Sequence, residues 1–398
     1  MTTMLTKDQQ AKILTPNVQK LLTALHGNAR MVGGAVRDVV VGRKVGDIDI
    51  ASTMPPDRVT EILNAAGIKT VPTGITHGTI TAVIDRTGYE ITTLRRDVET
   101  DGRHAKVEFT ENWQEDAARR DFTMNALYVD SDGNLTDYFN GVEDAKAGRV
   151  RFIGDARARI KEDVLRILRF FRFYAHFGKG DVDAENLAAC RELANLIPGL
   201  SVERIAHELI KLLAAENPLP ALRLMKDSGV INYFLPEAID FSRLQALLET
   251  ENKLGARQEA LVRLAALLPE DENAAQVVAK RLKLSNRDAA MLGTLAIIPA
   301  MLRGNMSPAN VRLRIYRYGA DNCRAAAFLV GGRISEALTF IASWKLPVFP
   351  IKGEDVVRLG ISAGPKVGEI LRIVEDWWIK GDFKADRAAC LKQASLHK

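Results

Sequence analysis

The sequence predicts an α+β protein: a mixed sheet with helices over residues 1–150, then an all-helical remainder. Three observations carry this. Runs with strand-like alternation and runs with helical periodicity interleave up to about residue 150. Strand signals stop near Asp155, and helical periodicity continues from there to the end. The helical segments are irregular in length and show no internal repeat, which excludes a solenoid.

Taken in order, residues 7–26 read as one amphipathic helix, with Ile13, Leu14, Val18, Leu21, Leu22 and Leu25 at helical spacing and Gly27-Asn28 ending it. Ala29–Val32 is a short apolar strand. Ala35–Val41 reads as a helix that opens after Gly33-Gly34 and stops at Gly42. Gly46–Ala51 is a strand carrying Asp47 and Asp49. Pro55-Pro56-Asp57 opens a helix to about Ala66. Thr79–Asp85 and Tyr89–Leu94 form a hairpin around Asp85-Arg86-Thr87-Gly88. Arg95–Asn112, which contains Gly102, is polar and reads as mobile. Phe122–Val129 is strand-like, and Asp132-Gly133-Asn134 is a turn. Beyond Asp155, breaks near Gly178–Gly180, Pro198-Gly199, Asn217–Pro220, Leu235-Pro236, Pro269, Gly304–Pro308, Lys345–Pro350 and Gly360–Pro365 separate the helices.

The bulk properties narrow the function. With 398 residues, 47% apolar and 26% charged, the chain is long enough for several buried cores. A net charge of +5 and a pI near 9.0 suit a polyanionic partner without requiring one. Cys190, Cys323 and Cys390 are far apart, with neither metal-site nor disulfide spacing, which favours a reducing compartment. The histidines form no H-x-x-x-H pattern, which argues against a histidine-ligated metal. The first residues lack a signal-peptide core, and no run of about 18 apolar residues is present, so no membrane span is expected. The expected address is cytoplasmic.

Five stretches carry candidate chemistry. On a Gly46–Ala51 strand, Asp47 and Asp49 would share a face, their Cα atoms roughly 6.5–7 Å apart. Such a pair can hold two Mg²⁺ ions roughly 3.5–4 Å apart, and Gly33-Gly34 upstream lets backbone approach phosphate closely. The same pair also reads as a solvated strand end. Glu90, in YEITTLR, is a candidate third carboxylate, or else an edge-strand glutamate. RRDFTMNA (Arg119–Ala126) offers arginine forks for phosphate, or a surface ion-pair cluster. In EDVLRILRFFRF (Glu162–Phe173), a continuous helix would project Asp163 and Arg166 together, with Arg169 and Arg172 extending a cationic ridge. The alternative is an ordinary amphipathic helix with a salt bridge. In SVERIAHELIK (Ser201–Lys211), Ser201 caps a helix with Arg204 and Glu208 at i, i+4, read as support for its neighbour.

An Asp–Arg pair has a definite recognition chemistry. Cytosine and adenine each present an exocyclic amino donor beside a ring-nitrogen acceptor. A carboxylate accepts from the first and a guanidinium donates to the second. Guanine and uracil present the reverse pattern and would leave both groups unpaired, which makes rejection strong.

Together these residues resemble the class II tRNA nucleotidyltransferases, the CCA-adding enzymes of the polymerase-β-like nucleotidyltransferase superfamily. GGAVRD…GDID (Gly33–Asp49) is similar to the family's motif A, RRDFTMNA to motif B, and LTDYFNGVEDAKAGRVR (Leu135–Arg151) to motif C. EDVLR (Glu162–Arg166) is similar to motif D, SVERIAHEL (Ser201–Leu209) to motif E, and Phe349–Arg372 to the tail of bacterial members. The resemblance implies a catalytic head (1–150), a helical neck for base recognition (151–225) and a helical body and tail that bind tRNA (226–398). It implies Mg²⁺ on Asp47 and Asp49, with Glu90 as third catalytic carboxylate. Gly33, Gly34, Arg37 and Arg120 would hold the triphosphate. Asp163 and Arg166 would read the base, with Arg169 and Arg172 extending the nucleotide-binding face. Arg95–Asn112 corresponds in position to a flexible loop tied to the switch from C to A. The implied substrates are tRNA, CTP and ATP, with no membrane and no obligate protein partner evident. Poly(A) synthesis, or addition of CC or A alone, is the nearest alternative; the short segment between Arg96 and Arg119 favours CCA addition. An inactive RNA-binding scaffold fits the intact D-x-D and RRD poorly. A small-molecule nucleotidyltransferase leaves the long helical C-terminal part without a role.

Overall fold

Gly33 turns the chain out of its first inner strand, and the fold of the N-terminal part follows from that turn. The computed structural model describes residues 2–101, 104–257, 259–305, 307–331 and 334–397. The chain divides into two compact units, Met1–Pro236 and Glu237–Lys398.

In the first unit the strands are β1 (Thr2–Met4), β2 (Ala29–Val32), β3 (Asp49–Ser52), β4 (Lys69–Gly74), β5 (Thr79–Ile84), β6 (Thr87–Thr93), β7 (Arg95–Asp101), β8 (His104–Phe109), β9 (Leu127–Val129) and β10 (Asn134–Asp137). Among the described residues they make an 8-stranded sheet, ordered β1-β10-β9-β2-β3-β6-β5-β4, and a 2-stranded ribbon of β7 and β8. The pairing of β3 with β6 is parallel, and the other pairings are antiparallel. The mixed sheet and the helical remainder are those expected from the sequence.

Several boundaries differ, each for a local reason. The helix expected over 7–26 is two helices, α1 (Lys7–Ile13) and α2 (Pro16–Ala24). Pro16 lacks the N–H that a continuous helix needs, whereas Thr15 and Pro16 suit an N-cap and first turn. After β2, α3 (Gly34–Val40) opens directly. The strand expected from Gly46 begins only at Asp49, level with Val32, where its antiparallel partner β2 ends. The helix after Pro55 is α4 (Pro56–Ala65). The β5–β6 hairpin turns tightly through Asp85 and Arg86, both at positive φ (49° and 64°). β4 carries no clear strand signal in the sequence because Pro72 interrupts its pattern; it is an edge strand, where proline is tolerated. The polar segment from Arg95 begins as the β7–β8 ribbon, and Gly102 lies outside the described residues.

Phe122–Val129 is not one strand. Phe122 makes an isolated bridge to Phe152, Thr123–Asn125 is a single tight turn, and only Leu127–Val129 joins the sheet. Gly141, which opens α6 (Gly141–Ala147), explains the turn: an added Cβ there would stand 2.1 Å from the Thr123 carbonyl oxygen. α5 (Trp113–Ala118) precedes this turn.

The helices that follow are α7 (Ala156–Glu162), α8 (Leu165–Phe177), α9 (Ala184–Glu192), α10 (Val202–Leu213) and α11 (Leu219–Asp227). Phe122, Phe152, Phe170 and Phe173 pack in tilted and stacked pairs, bringing α8 against the Phe122–Phe152 bridge. Each such ring contributes about 1.5–3 kcal/mol on burial, so α8 is fixed firmly against the first unit's sheet side. Every described secondary-structure element of the second unit is a helix, from Ser242–Leu254 to Arg387–Ser395. It buries the Arg263–Glu251 ion pair and a cluster around Trp378. No described helix is long and apolar enough to cross a membrane.

Candidate active site

The candidate site assembles at one end of the sheet. β2 ends at Val32, opposite Asp49, the first residue of β3. Gly33 follows at φ 75°, a conformation glycine takes without strain. Ile50 of β3 stands beside Ile91 of the parallel β6, so Asp49 and Glu90, one residue earlier on each, stand side by side on the same face. Asp47 lies outside the ladder but acts on the same carboxyl. The protein mass around Asp49 raises its pKa, Glu90 and Asp47 raise it further, and Arg120 opposes them. The sequence-predicted residues Gly33, Asp47, Asp49, Glu90 and Arg120 thus form one neighbourhood. Among the described residues no three acidic, histidine or cysteine side chains are already gathered as a metal cage. The acidic group is instead an open cluster of like charges, with oxygen donors that suit a hard divalent cation.

Arg120 is held from behind. Asp116, buried on α5, accepts from Arg120 Nε at 3.2 Å and Nη2 at 3.0 Å, and from Arg119 Nε at 2.9 Å. Tyr128 Oη accepts from Arg120 Nε at 3.1 Å and donates to Asp116 at 2.8 Å. Burial opposes the Arg120 charge, but Tyr128 and Asp116 outweigh it and raise its pKa above the usual arginine value. Arg120 Nη1 lies over Gly33, 3.6 Å from where a Cβ would be.

Gly34 and Arg37 are placed differently from Gly33. Gly34 begins α3, and Arg37 turns into the protein with its side chain only 10% exposed. It donates to Asp38 at 2.9 and 3.0 Å and to Asn125 Oδ1 at 2.6 Å, and lies over Phe177 at 4.0 Å. Burial lowers its pKa despite Asp38. These partners make Arg37 a tie among α3, the Thr123–Asn125 turn and α8.

On the helical side, the continuous helix expected through Glu162–Phe173 is broken. Asp163 is extended (φ −150°, ψ 103°), and its carboxylate accepts from Leu165 N, as aspartates favour at helix starts. Asp163 and Arg166 therefore do not pair. Asp163 takes Arg204 of α10 at 2.9 Å, while Arg166 donates to Glu162 and to the Arg159 carbonyl, both at 2.6 Å. Arg169 binds Asp121 at 2.7 Å, and Arg172 meets Glu208 at 2.6 Å. Burial opposes the charges of Asp121 and Arg169, but their pairing holds the acid's pKa down and the arginine's up. The i, i+4 residues Arg204 and Glu208 each reach across to the preceding helices rather than to each other, which is the supporting role read for their helix.

Sequence reasoning singled out neither Asp116, Tyr128 nor Arg159. Asp116 had a signal, since it stands three and four residues before Arg119 and Arg120 on one helical turn. Arg159 donates to the Arg120 carbonyl at 2.9 Å, a long-range bond with no local signature.

This strand–glycine-turn–carboxylate arrangement defines a nucleotidyltransferase head. The family of the Poly A polymerase head domain matches residues 29–151, and that of the probable RNA and SrmB- binding site of polymerase A matches residues 181–241. The mitochondrial CCA tRNA nucleotidyltransferase 1 of Mus musculus is 36% identical over 90% of this chain and 84% of its own length. The CCA-adding enzyme of Levilactobacillus brevis is 33% identical over 91% of this chain and 92% of its own. The chain belongs to the CCA tRNA nucleotidyltransferase family. The crystal structure of Bacillus stearothermophilus CCA-adding enzyme in complex with CTP superposes with a TM-score of 0.78 at 27% identity, covering 98% of this chain and 97% of that one. The Thermotoga maritima CCA-adding enzyme complexed with tRNA shares the fold, with a TM-score of 0.68 at 21% identity and full coverage (100%) of both chains.

Proposed function

We propose that this protein adds C, C and A to the 3′ end of tRNA from CTP and ATP, by attack of the terminal hydroxyl on the α-phosphate with release of pyrophosphate. The observation that carries this reading is the open acidic cluster of Asp47, Asp49 and Glu90 beside Arg120 and the Gly33 turn, in a chain that matches CCA-adding enzymes along almost its whole length. Asp47 and Asp49 would hold Mg²⁺, with Glu90 as the third carboxylate. Repulsion inside the cluster is what a divalent cation relieves, so the donor set fits the ion. Bound Mg²⁺ supplies activation of the attacking hydroxyl and neutralisation of the leaving phosphates. Arg120 and the backbone at Gly33 and Gly34 orient the triphosphate. Arg37 supports the site from below rather than touching phosphate.

Residues 151–225 form the base-reading neck in this reading. Asp163 accepts from the exocyclic amino group, and Arg166 donates to the ring nitrogen. Both exchange internal partners, Arg204 and Glu162, for the base. Arg169 and Arg172 hold the face on which the base lies. The helices beyond residue 226 take the tRNA by backbone and shape contacts. Buried, free Cys190, Cys323 and Cys390 suit a reducing cytoplasm.

Incubation with a tRNA lacking its 3′ terminus, together with CTP, ATP and Mg²⁺, tests the reading. Extension by C, C and A followed by arrest is expected. A long A tail would establish poly(A) synthesis instead, and arrest after CC or addition of A alone would mark a partial-adding enzyme.

A further inference from the structure

Tyr128 lies in the middle of β9, paired with Val32 and flanked by buried Leu127 and Val129. Its ring is completely buried, with the Trp113 ring edge-on at 5.4 Å and Tyr138 at 6.3 Å. Phenylalanine would fill this space equally well. What tyrosine adds is a hydroxyl in a place where an unbonded hydroxyl is costly. That hydroxyl is bonded on both sides, accepting from Arg120 Nε at 3.1 Å and donating to Asp116 Oδ2 at 2.8 Å.

We propose that Tyr128 is a positioning residue for nucleotidyl transfer: its hydroxyl, locked between Asp116 and Arg120, aims the Arg120 guanidinium at the Gly33 turn. The proposal rests on the reading above, in which Arg120 holds the triphosphate. A guanidinium is planar, so anchoring Nε and one Nη fixes the direction of the other. Nε and Nη2 are taken by Tyr128 and Asp116, and Nη1, which makes none of these bonds, lies over Gly33. Asp116 alone is a divided anchor. Its other oxygen serves Arg119 Nε and Nη2 at 2.9 and 2.6 Å and the Arg95 amide at 3.4 Å. Tyr128 touches neither base-reading residue, so its effect reaches every nucleotide equally.

The test is Tyr128→Phe, assayed beside Arg120→Ala and the double variant with tRNA substrates ending before C and before A, with melting temperature as a second readout. Tyr128→Phe should lower kcat/KM for CTP and for ATP by the same factor, about tenfold. Rejection of UTP and GTP should be intact, and the change should add nothing in the Arg120→Ala background. Unchanged kcat/KM per folded enzyme, loss for one nucleotide only, or full additivity with Arg120→Ala overturns the proposal. If Arg120→Ala itself extends tRNA at the wild-type rate, the triphosphate reading of Arg120 fails and takes this proposal with it. If Arg120→Ala is crippled while Tyr128→Phe is not, only the proposal fails. Should Tyr128→Phe fold poorly, Asp116→Asn, which removes the other half of the anchor, carries the same expectations.

Discussion

At the sheet end, Asp47, Asp49 and Glu90 set like charges near one another; burial raises the pKa of Asp49, and Glu90 and Asp47 raise it further. On α7, α8 and α10, by contrast, every charge singled out from the sequence has an opposite partner: Asp163 with Arg204, Arg166 with Glu162, Arg169 with Asp121 and Arg172 with Glu208. The first region is left electrostatically incomplete, as the proposed metal and triphosphate site requires. The second is complete without ligand, so the proposed base reading would require exchanging one partner for another. The two regions should therefore respond to mutation in opposite ways.

The largest contrast is at Asp49. Asp49→Asn should abolish nucleotide addition, a loss of several orders of magnitude if charge neutralisation is the main catalytic term, and yet raise the melting temperature by relieving repulsion with Glu90 and Asp47. Mg²⁺ should raise the melting temperature of the wild type and not of the variant. A variant that melts earlier than wild type, or that still responds to Mg²⁺, would break the comparison on the sheet side.

Next in size is Glu208, the buried acid beneath Arg169 and Arg172. Glu208→Gln leaves the largely buried Arg172 guanidinium short of its anion, while Arg169 keeps Asp121, and losing one partner of a buried pair costs about 3–5 kcal/mol. Here the expected loss is in stability first, read from denaturant midpoints, with activity falling as α8 loosens. A fully stable Glu208→Gln protein would mean that the helical side is not held by charge pairing.

These contrasts also mark what was legible in the sequence. The sheet and its glycine turn were readable because Gly33-Gly34 and D-x-D impose local geometry within a few residues. The arrest of β3 at Asp49 was not, since it depends on where β2 ends. The acidic cluster was readable as residue types, and the parallel β3–β6 register that joins Glu90 to it is a tertiary fact. On the helical side the spacing of Asp163 and Arg166 suggested a mutual pair. The backbone break at Asp163 redirects that carboxylate to Arg204, forty-one residues later, which helical periodicity alone cannot reveal. The motif implies phosphate contact for Arg37; its pairing with Asn125 and stacking on Phe177 are long-range contacts invisible in the chain order.

The smallest effect separates two roles on the helical side. The Asp163–Arg204 pair is about one-third exposed on each side (30% and 33%), so it contributes about 0.2–1 kcal/mol to stability. Arg204→Ala should leave the melting temperature nearly unchanged, but free Asp163 to swing and relax discrimination against UTP and GTP roughly two- to fivefold. Arg166→Ala removes the proposed base-reading donor itself and should relax that discrimination further, with kcat for CTP and ATP falling as well. Misincorporation assays with each nucleotide alone rank the two variants. If Arg204→Ala alters base choice more than Arg166→Ala does, then Asp163 and Arg204 are the reading pair and Arg166 is a structural brace between Glu162 and the Arg159 carbonyl. That outcome would move the specificity element from one helix to the junction of two.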